Sequence, residues 1–388
     1  MNNYKVTSSG FFTFLCVCQP ILAVYRSPVS GFDLGTFFIL LAFPFMLAFN
    51  KGRGLIAPNG IAWVLIYAFL CTFFCFISNE HFYSSQSSVI NRTLRYVILL
   101  FIIICFGMPN FFSWKKYISY LRTFSLLVSG YAILQYVMFY VLHIKLPNTF
   151  GPVKQGGGGA VPEFILDPTY RPPSIFLEPS AAAYYLTPFL CYILFFEGLK
   201  SRRGAFSAIV VTLGILCTTS GQGLFVLILC WGVWYLRSMK DLNYKQLIIG
   251  VLGLALILTY FDLSFTIDRI FTNDEMNAID ARSGGYEMIK KLPIENMIVG
   301  NGYGNYDETV YYSSFAEIIF CTGFTGLVLV IVMYLRAFHR GNLFQKMLVL
   351  SSFILMSGGG IYTATFLCFY LPLIFFDKWN KKLSSIYR

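Results

Sequence analysis

The chain has 388 residues, of which 57% are hydrophobic, 19% aromatic and only 12% charged. A water-soluble domain carries about 25% charged residues, so the composition excludes an ordinary globular enzyme and equally excludes a disordered chain. The net charge of +11 sits in short connections between apolar runs, which is a pattern of membrane topology rather than of a nucleic-acid groove.

Taken in chain order, the apolar runs predict an all-α polytopic membrane protein with about twelve transmembrane helices. They fall near 10–25, 31–49, 60–78, 95–112, 121–143, 180–198, 204–219, 222–236, 246–263, 313–335, 345–358 and 361–376. Pro20, Pro44, Pro188 and Pro372 lie inside these runs, which neighbouring helices can tolerate. The N-terminus, Met-Asn-Asn-Tyr-Lys, lacks a small-x-small cleavage pattern, so the first run reads as a retained span.

The basic residues fix the orientation. With a cytoplasmic N-terminus, the inner connections hold 19 of the 29 Lys and Arg but three of the 18 acidic residues. That bias places both termini in the cytoplasm. The resulting organisation is an N-terminal bundle of about five helices over 1–143, a long outer loop over 144–179 and central helices over 180–263. A second long outer loop follows over 264–312, then C-terminal helices and a cytoplasmic tail over 313–388. Loops of that length are uncommon unless they are functional or disordered. The ten Cys fall almost entirely inside apolar runs and the three His are scattered, so neither a disulfide framework nor a metal site is expected.

The first loop runs through Gly156–Gly159 without the Lys-Ser/Thr of a phosphate loop, so it reads as a lid or linker. It then reads Tyr170-Arg171-Pro-Pro-Ser-Ile-Phe176-Leu-Glu178-Pro179-Ser180. Pro179 suits the first turn of a helix, with Glu178 at its N-terminal end. Arg171 and Glu178 suit either a structural ion pair or a site. The short turn Thr218-Thr219-Ser220-Gly221-Gln222-Gly223 is polar and small. In the second loop a short helix over about 283–291 would set Tyr286 beside Lys290, and Glu287 beside Lys290 and Lys291. Gly300, Gly302 and Gly304 permit close backbone approach to a ligand. Glu317 falls about one turn into the tenth span, where an ionisable group faces a bundle interior, a wet cavity or headgroup water.

Arg171, Arg282, Lys290 and Lys291 bring cations to the outer face. Guanidinium forks suit a diphosphate. Tyr170, Phe176, Tyr286, Tyr303, Tyr306, Tyr311 and Tyr312 suit sugar faces, and Glu178 or Glu317 could orient or deprotonate a hydroxyl. Together these features suggest a lipid-diphosphate-linked saccharide as substrate.

Three segments resemble the O-antigen polymerase and ligase superfamily of bacterial inner membranes. Arg171 to Ser180 is similar to its Arg-x-x-Gly/Ser-x-Phe-x-Glu/Asp-Pro-Asn/Ser segment. Arg282 followed by Pro293, Gly300, Gly302 and Gly304 resembles its Arg…Pro-x-x-Gly-x-Gly segment. Tyr312 to Glu317, with Gly323 and Gly326, resembles its His-Asn-x-x-Leu…Gly segment. The resemblance covers roughly 165–335. Two departures stand out. Tyr312 replaces the histidine of the ligases, and Ser220-Gly221 stands where the family often has Ser-Arg.

The missing histidine favours the polymerase branch, Wzy. The resemblance then implies transfer of a growing glycan from undecaprenyl diphosphate to an incoming lipid-linked repeat unit at the periplasmic face, without metal, cofactor or nucleotide sugar. It implies that Arg282 and Arg171 bind the diphosphate, and that Glu178 or Glu317 serves the acceptor hydroxyl. Tyr170, Tyr286, Lys290, Lys291, Gly302, Tyr303 and Tyr312 would bind substrate. A chain-length regulator and a flippase are expected partners, alongside the lipid bilayer and without nucleic acid. A lipid-linked oligosaccharide flippase or other transporter, a ligase and a non-catalytic scaffold are the competing readings.

Overall fold

The computed structural model describes residues 8–29, 32–49, 61–77, 82–105, 112–150, 170–199, 201–238, 280–307, 309–359 and 364–375. Within them the secondary structure is helical, with no strand beyond one isolated bridge between Arg26 and Asp33. The helices are α1 (Ser8–Leu22), α2 (Leu34–Phe49), α3 (Ile61–Ile77), α4 (Gln86–Cys105), α5 (Trp114–Leu142), α6 (Pro179–Tyr192), α7 (Arg202–Cys217) and α8 (Gly221–Ser238). Then come α9 (Asp280–Lys290), α10 (Ile294–Val299), α11 (Ser314–Arg340), α12 (Leu343–Gly358) and α13 (Ala364–Phe375).

Among the described residues, four helical segments are long and apolar enough to cross a membrane: Gln86–Cys105, Trp114–Leu142, Pro179–Glu197 and Ser314–Arg340. Shorter apolar helices accompany them at Ser9–Leu22, Leu34–Ala48, Ile61–Phe76, Leu343–Gly358 and Phe366–Phe375. The span expected over 246–263 lies outside the described residues. α3 turns its bulk outward. Trp63, Ile66, Phe69, Leu70, Phe73 and Phe74 are exposed, while Val64, Ala68, Cys71 and Cys75 are buried. Large apolar groups outside and small ones inside suit a helix with apolar surroundings.

Several boundaries differ from the sequence reading for local reasons. α4 starts nine residues before the expected Arg95, because Ser85 caps it: the Ser88 N–H donates to Ser85 Oγ at 3.3 Å and the Val89 N–H to the Ser85 carbonyl at 3.1 Å. Arg92 therefore belongs to a helix and not to a loop, and Arg95 lies well inside that helix rather than at its start. α5 likewise starts at Trp114, well before residue 121, with the Tyr117 N–H donating to the Ser113 carbonyl at 2.8 Å. α6 begins with Pro179 at its first position and Glu178 as its cap residue, as the sequence predicts. It closes through a π-helical turn over Ile193–Glu197, where the Gly198 N–H reaches the Ile193 carbonyl at 2.8 Å. The loop expected over 264–312 contains α9 and α10.

The chain divides into two compact units, Met1–Phe124 with Thr149–Gly159 and Ser283–Arg388, and Ser125–Asn148 with Ala160–Arg282. In the first, α1 packs on α2 and α13, α3 on α4, and α11 on α3, α10 and α12. In the second, α6 packs on α7 and α8.

Candidate functional site

In the first unit the site is built on a break in α11. Gly323 has φ 66° and ψ −178°, a backbone state that residues with a Cβ avoid, and a Cβ there would collide with the Ile298 carbonyl. Carbonyls just before a helix break lose their usual partners. Here they accept from the glycine-rich segment instead: the Asn301 N–H reaches the Phe320 carbonyl at 3.1 Å and the Gly302 N–H reaches the Cys321 carbonyl at 3.0 Å. The segment is also tied to α3 and α4. The Tyr303 N–H donates to Thr72 Oγ1 at 2.9 Å, and Thr93 Oγ1 donates to the Tyr303 carbonyl at 2.7 Å. Asn305 is fully buried; its Oδ1 accepts from the Tyr83 N–H at 2.9 Å and its Nδ2 donates to the Asn301 carbonyl at 3.0 Å. The close approach expected of Gly302 is thus made to the protein itself, since a Cβ there would lie 2.8 Å from Cys75 Cβ.

This arrangement gathers tyrosines. Tyr303 is buried and stacks on Tyr96, with ring centroids 4.0 Å apart. Tyr306 packs against Tyr312 at 5.4 Å, and Tyr312 against Phe320 at 5.3 Å. Burial pushes the Tyr306 and Tyr312 phenols above their ordinary range. Arg92 lies over Tyr306, 4.4 Å from the ring centroid. Its Nη1 donates to the Gly304 carbonyl at 2.6 Å and to the Tyr306 carbonyl at 3.3 Å.

Glu317 is partly buried in the first turn of α11, and the charges of Arg95 and Arg92 act on its carboxylate. Ser313 caps the helix by accepting from the Ala316 N–H at 3.3 Å. Ser314 ties it to the end of α12, donating from N and Oγ to the Gly359 carbonyl at 2.9 and 2.7 Å. The carboxylate is therefore held on a braced helix start. Two guanidinia thus act on a carboxylate that is able to orient a hydroxyl. Sequence reading passed over Arg92 and Arg95, although Arg-x-x-Arg at i, i+3 puts both on one helical face.

Tyr286 borders the same region. It is exposed, and its hydroxyl accepts from Ser313 Oγ at 3.2 Å. On α9 the expected pairing is present: Lys290 Nζ lies 2.6 Å from Glu287 Oε1, an exposed ion pair that holds the Glu287 carboxyl below its usual range. Lys291 is exposed just beyond the helix. Arg282 stands in the first turn of α9, and its side chain lies outside the described residues.

The second unit holds the other candidates. Arg171 grips the turn between α7 and α8, Nε donating to Thr219 Oγ1 at 3.1 Å and Nη2 to the Thr219 carbonyl at 3.0 Å. Thr219 has φ 48°, so the guanidinium braces a strained turn. The structural ion pair between Arg171 and Glu178 that the sequence allowed is not among the described salt bridges. Glu178 Oε2 instead accepts from Ser180 Oγ at 3.0 Å. Tyr170 is buried against Phe139, with ring centroids 4.6 Å apart, and Lys145 Nζ lies 5.2 Å from its ring. Its hydroxyl has no hydrogen-bond partner among the described residues, and burial beside Tyr131 pushes the phenol up to about 12.

No family model and no curated protein matches the chain.

Proposed function

We propose that the protein is a multi-pass membrane glycosyltransferase of about twelve spans, with cytoplasmic termini and its site at the outer face of a bacterial inner membrane. It transfers a growing glycan from undecaprenyl diphosphate to an incoming lipid-linked repeat unit. The observation that carries this reading is Glu317, set in the first turn of a long apolar helix, where the charges of Arg95 and Arg92 act on it and its own charge acts on Tyr306. Each part has a task in such a transfer. Guanidinia neutralise charge that develops on the departing diphosphate. The carboxylate takes or orients the acceptor hydroxyl proton. The apolar helix continues toward the lipid tail.

In this reading Arg95 is a diphosphate ligand, and Arg92 positions the Gly300–Tyr306 segment. Arg171 supports the Thr219 turn. The diphosphate is already a good leaving group, so neither metal nor nucleotide sugar is needed.

The test is reconstitution in lipid with undecaprenyl-diphosphate-linked repeat units, in chelator and without nucleotide sugar. A product ladder spaced by one repeat, lost in Glu317→Gln, is the expected result. Transbilayer movement of the same lipid without a ladder would overturn the transferase in favour of a flippase.

A further inference from the structure

α6 and α8 share a close seam within the second unit. A Cβ on Gly223 would lie 2.9 Å from Ala183 Cβ, so the backbones approach closely. The Tyr184 hydroxyl donates to Gln222 Oε1. Two turns further along both helices, the Cys191 and Cys230 sulfurs stand 3.6 Å apart. The pairings advance in the same direction on each helix, so the seam is parallel. Both cysteines are fully buried, and neither is in a disulfide.

We infer that Cys191 and Cys230 form a redox modification site, at which a small apolar two-electron acceptor of the quinone or diazenedicarboxamide class joins them as a disulfide linking α6 to α8. The sulfurs are in van der Waals contact and need to close by roughly 1.5 Å to reach the ~2.05 Å of a disulfide. With a diazenedicarboxamide the first thiol adds across the N=N bond, forming an S–N bond while its proton goes to the other nitrogen. The second sulfur attacks the first, the S–N bond breaks and the S–S bond forms. The second thiol's proton and the electron pair leave with the hydrazine, so two thiols become one disulfide and the diazene is reduced by two electrons.

The link would fix the two helices that frame the Arg171–Thr219 contact, because α6 follows the Arg171 segment and α8 follows the Thr219 turn. It does not depend on which reaction the protein catalyses.

The experiment uses the full chain purified in detergent and treated with diamide. The protein is then alkylated, digested without reductant and analysed by mass spectrometry. The expected product is a Cys191–Cys230 linked peptide, two hydrogens lighter than its parts and abolished by a thiol reductant. In Cys191→Ala, Cys230 should stay open to alkylation after diamide. Persistence of both thiols in the oxidised wild-type protein, or their pairing only with other cysteines such as Cys217, would overturn the inference. Should Cys191→Ala fail to fold, the wild-type peptide map decides alone.

Discussion

The Arg92 guanidinium lies over the Tyr306 ring, 4.4 Å from its centroid, while Nη1 donates to the Gly304 and Tyr306 carbonyls at 2.6 and 3.3 Å. One side chain of α4 thus fixes both the backbone and the aromatic face of a segment more than two hundred residues away. Arg92→Gln should loosen that segment, with a cost of about 2 kcal/mol from lost charge-assisted hydrogen bonds and cation–π contact. Arg92→Lys keeps the charge but not the fork, and should fall between the two. Limited proteolysis around Gly300–Tyr306 and thermal unfolding in detergent check the order. Wild-type behaviour from both variants would remove the positioning role.

Glu317→Gln conserves shape and removes the charge on which two guanidinia act. The expected loss of transfer is about 10²-fold or more, as for a positioned proton acceptor, with the folded protein still recovered by size exclusion. Glu317→Asp should recover part of the rate by restoring the carboxylate at a shorter reach. Single-turnover assays with a fixed acceptor separate this chemical loss from weaker binding.

What the sequence made legible was local. Pro179 marked the start of α6, Glu178 its cap position and Glu317 the first turn of α11, because proline geometry and helix-end preferences act over a few residues. Lys290 and Glu287 followed from helical spacing alone. Arg92 stayed hidden because the start of α4, from Gln86 up to Arg95, is polar and reads as loop until the glycine-rich segment packs on it, and Arg95 read only as the edge of an apolar span. The use of Gly302 to approach Cys75 was equally hidden. A glycine declares that something comes near, but not what.

Gly323 illustrates the same limit in an apolar run, where a glycine is ordinary. Its φ of 66° and the Ile298 carbonyl beside it leave no room for a methyl. Gly323→Ala should destabilise the protein by about 2–4 kcal/mol, since it adds a steric collision to backbone strain. Gly232 in α8 supplies the contrast, because a methyl there meets nothing within 4 Å. Gly232→Ala should be neutral or stabilising by up to ~1 kcal/mol through helix propensity. Opposite shifts in melting temperature are the expected pair of results, and equal shifts would contradict the break as a constraint.

Tyr170 offers a test with a defined pH window. Burial beside Tyr131 holds its phenol up to about 12 against an ordinary 10.0. The unfolded chain therefore releases this proton first. Through that interval it binds fewer protons than the folded chain, so stability is full below 10.0 and falls as pH rises toward about 12. Tyr170→Phe removes the titrating group, so its melting temperature should fall less steeply above about pH 10 than that of the wild type. Other groups titrate there as well, and the difference between the two curves is the quantity to read. At neutral pH the same variant should be as stable as the wild type or slightly more so, because the buried hydroxyl lacks a partner among the described residues. A loss of transfer through a raised KM, in a protein no less stable, would identify that hydroxyl as a substrate contact. Unchanged kinetics would return Tyr170 to packing against Phe139.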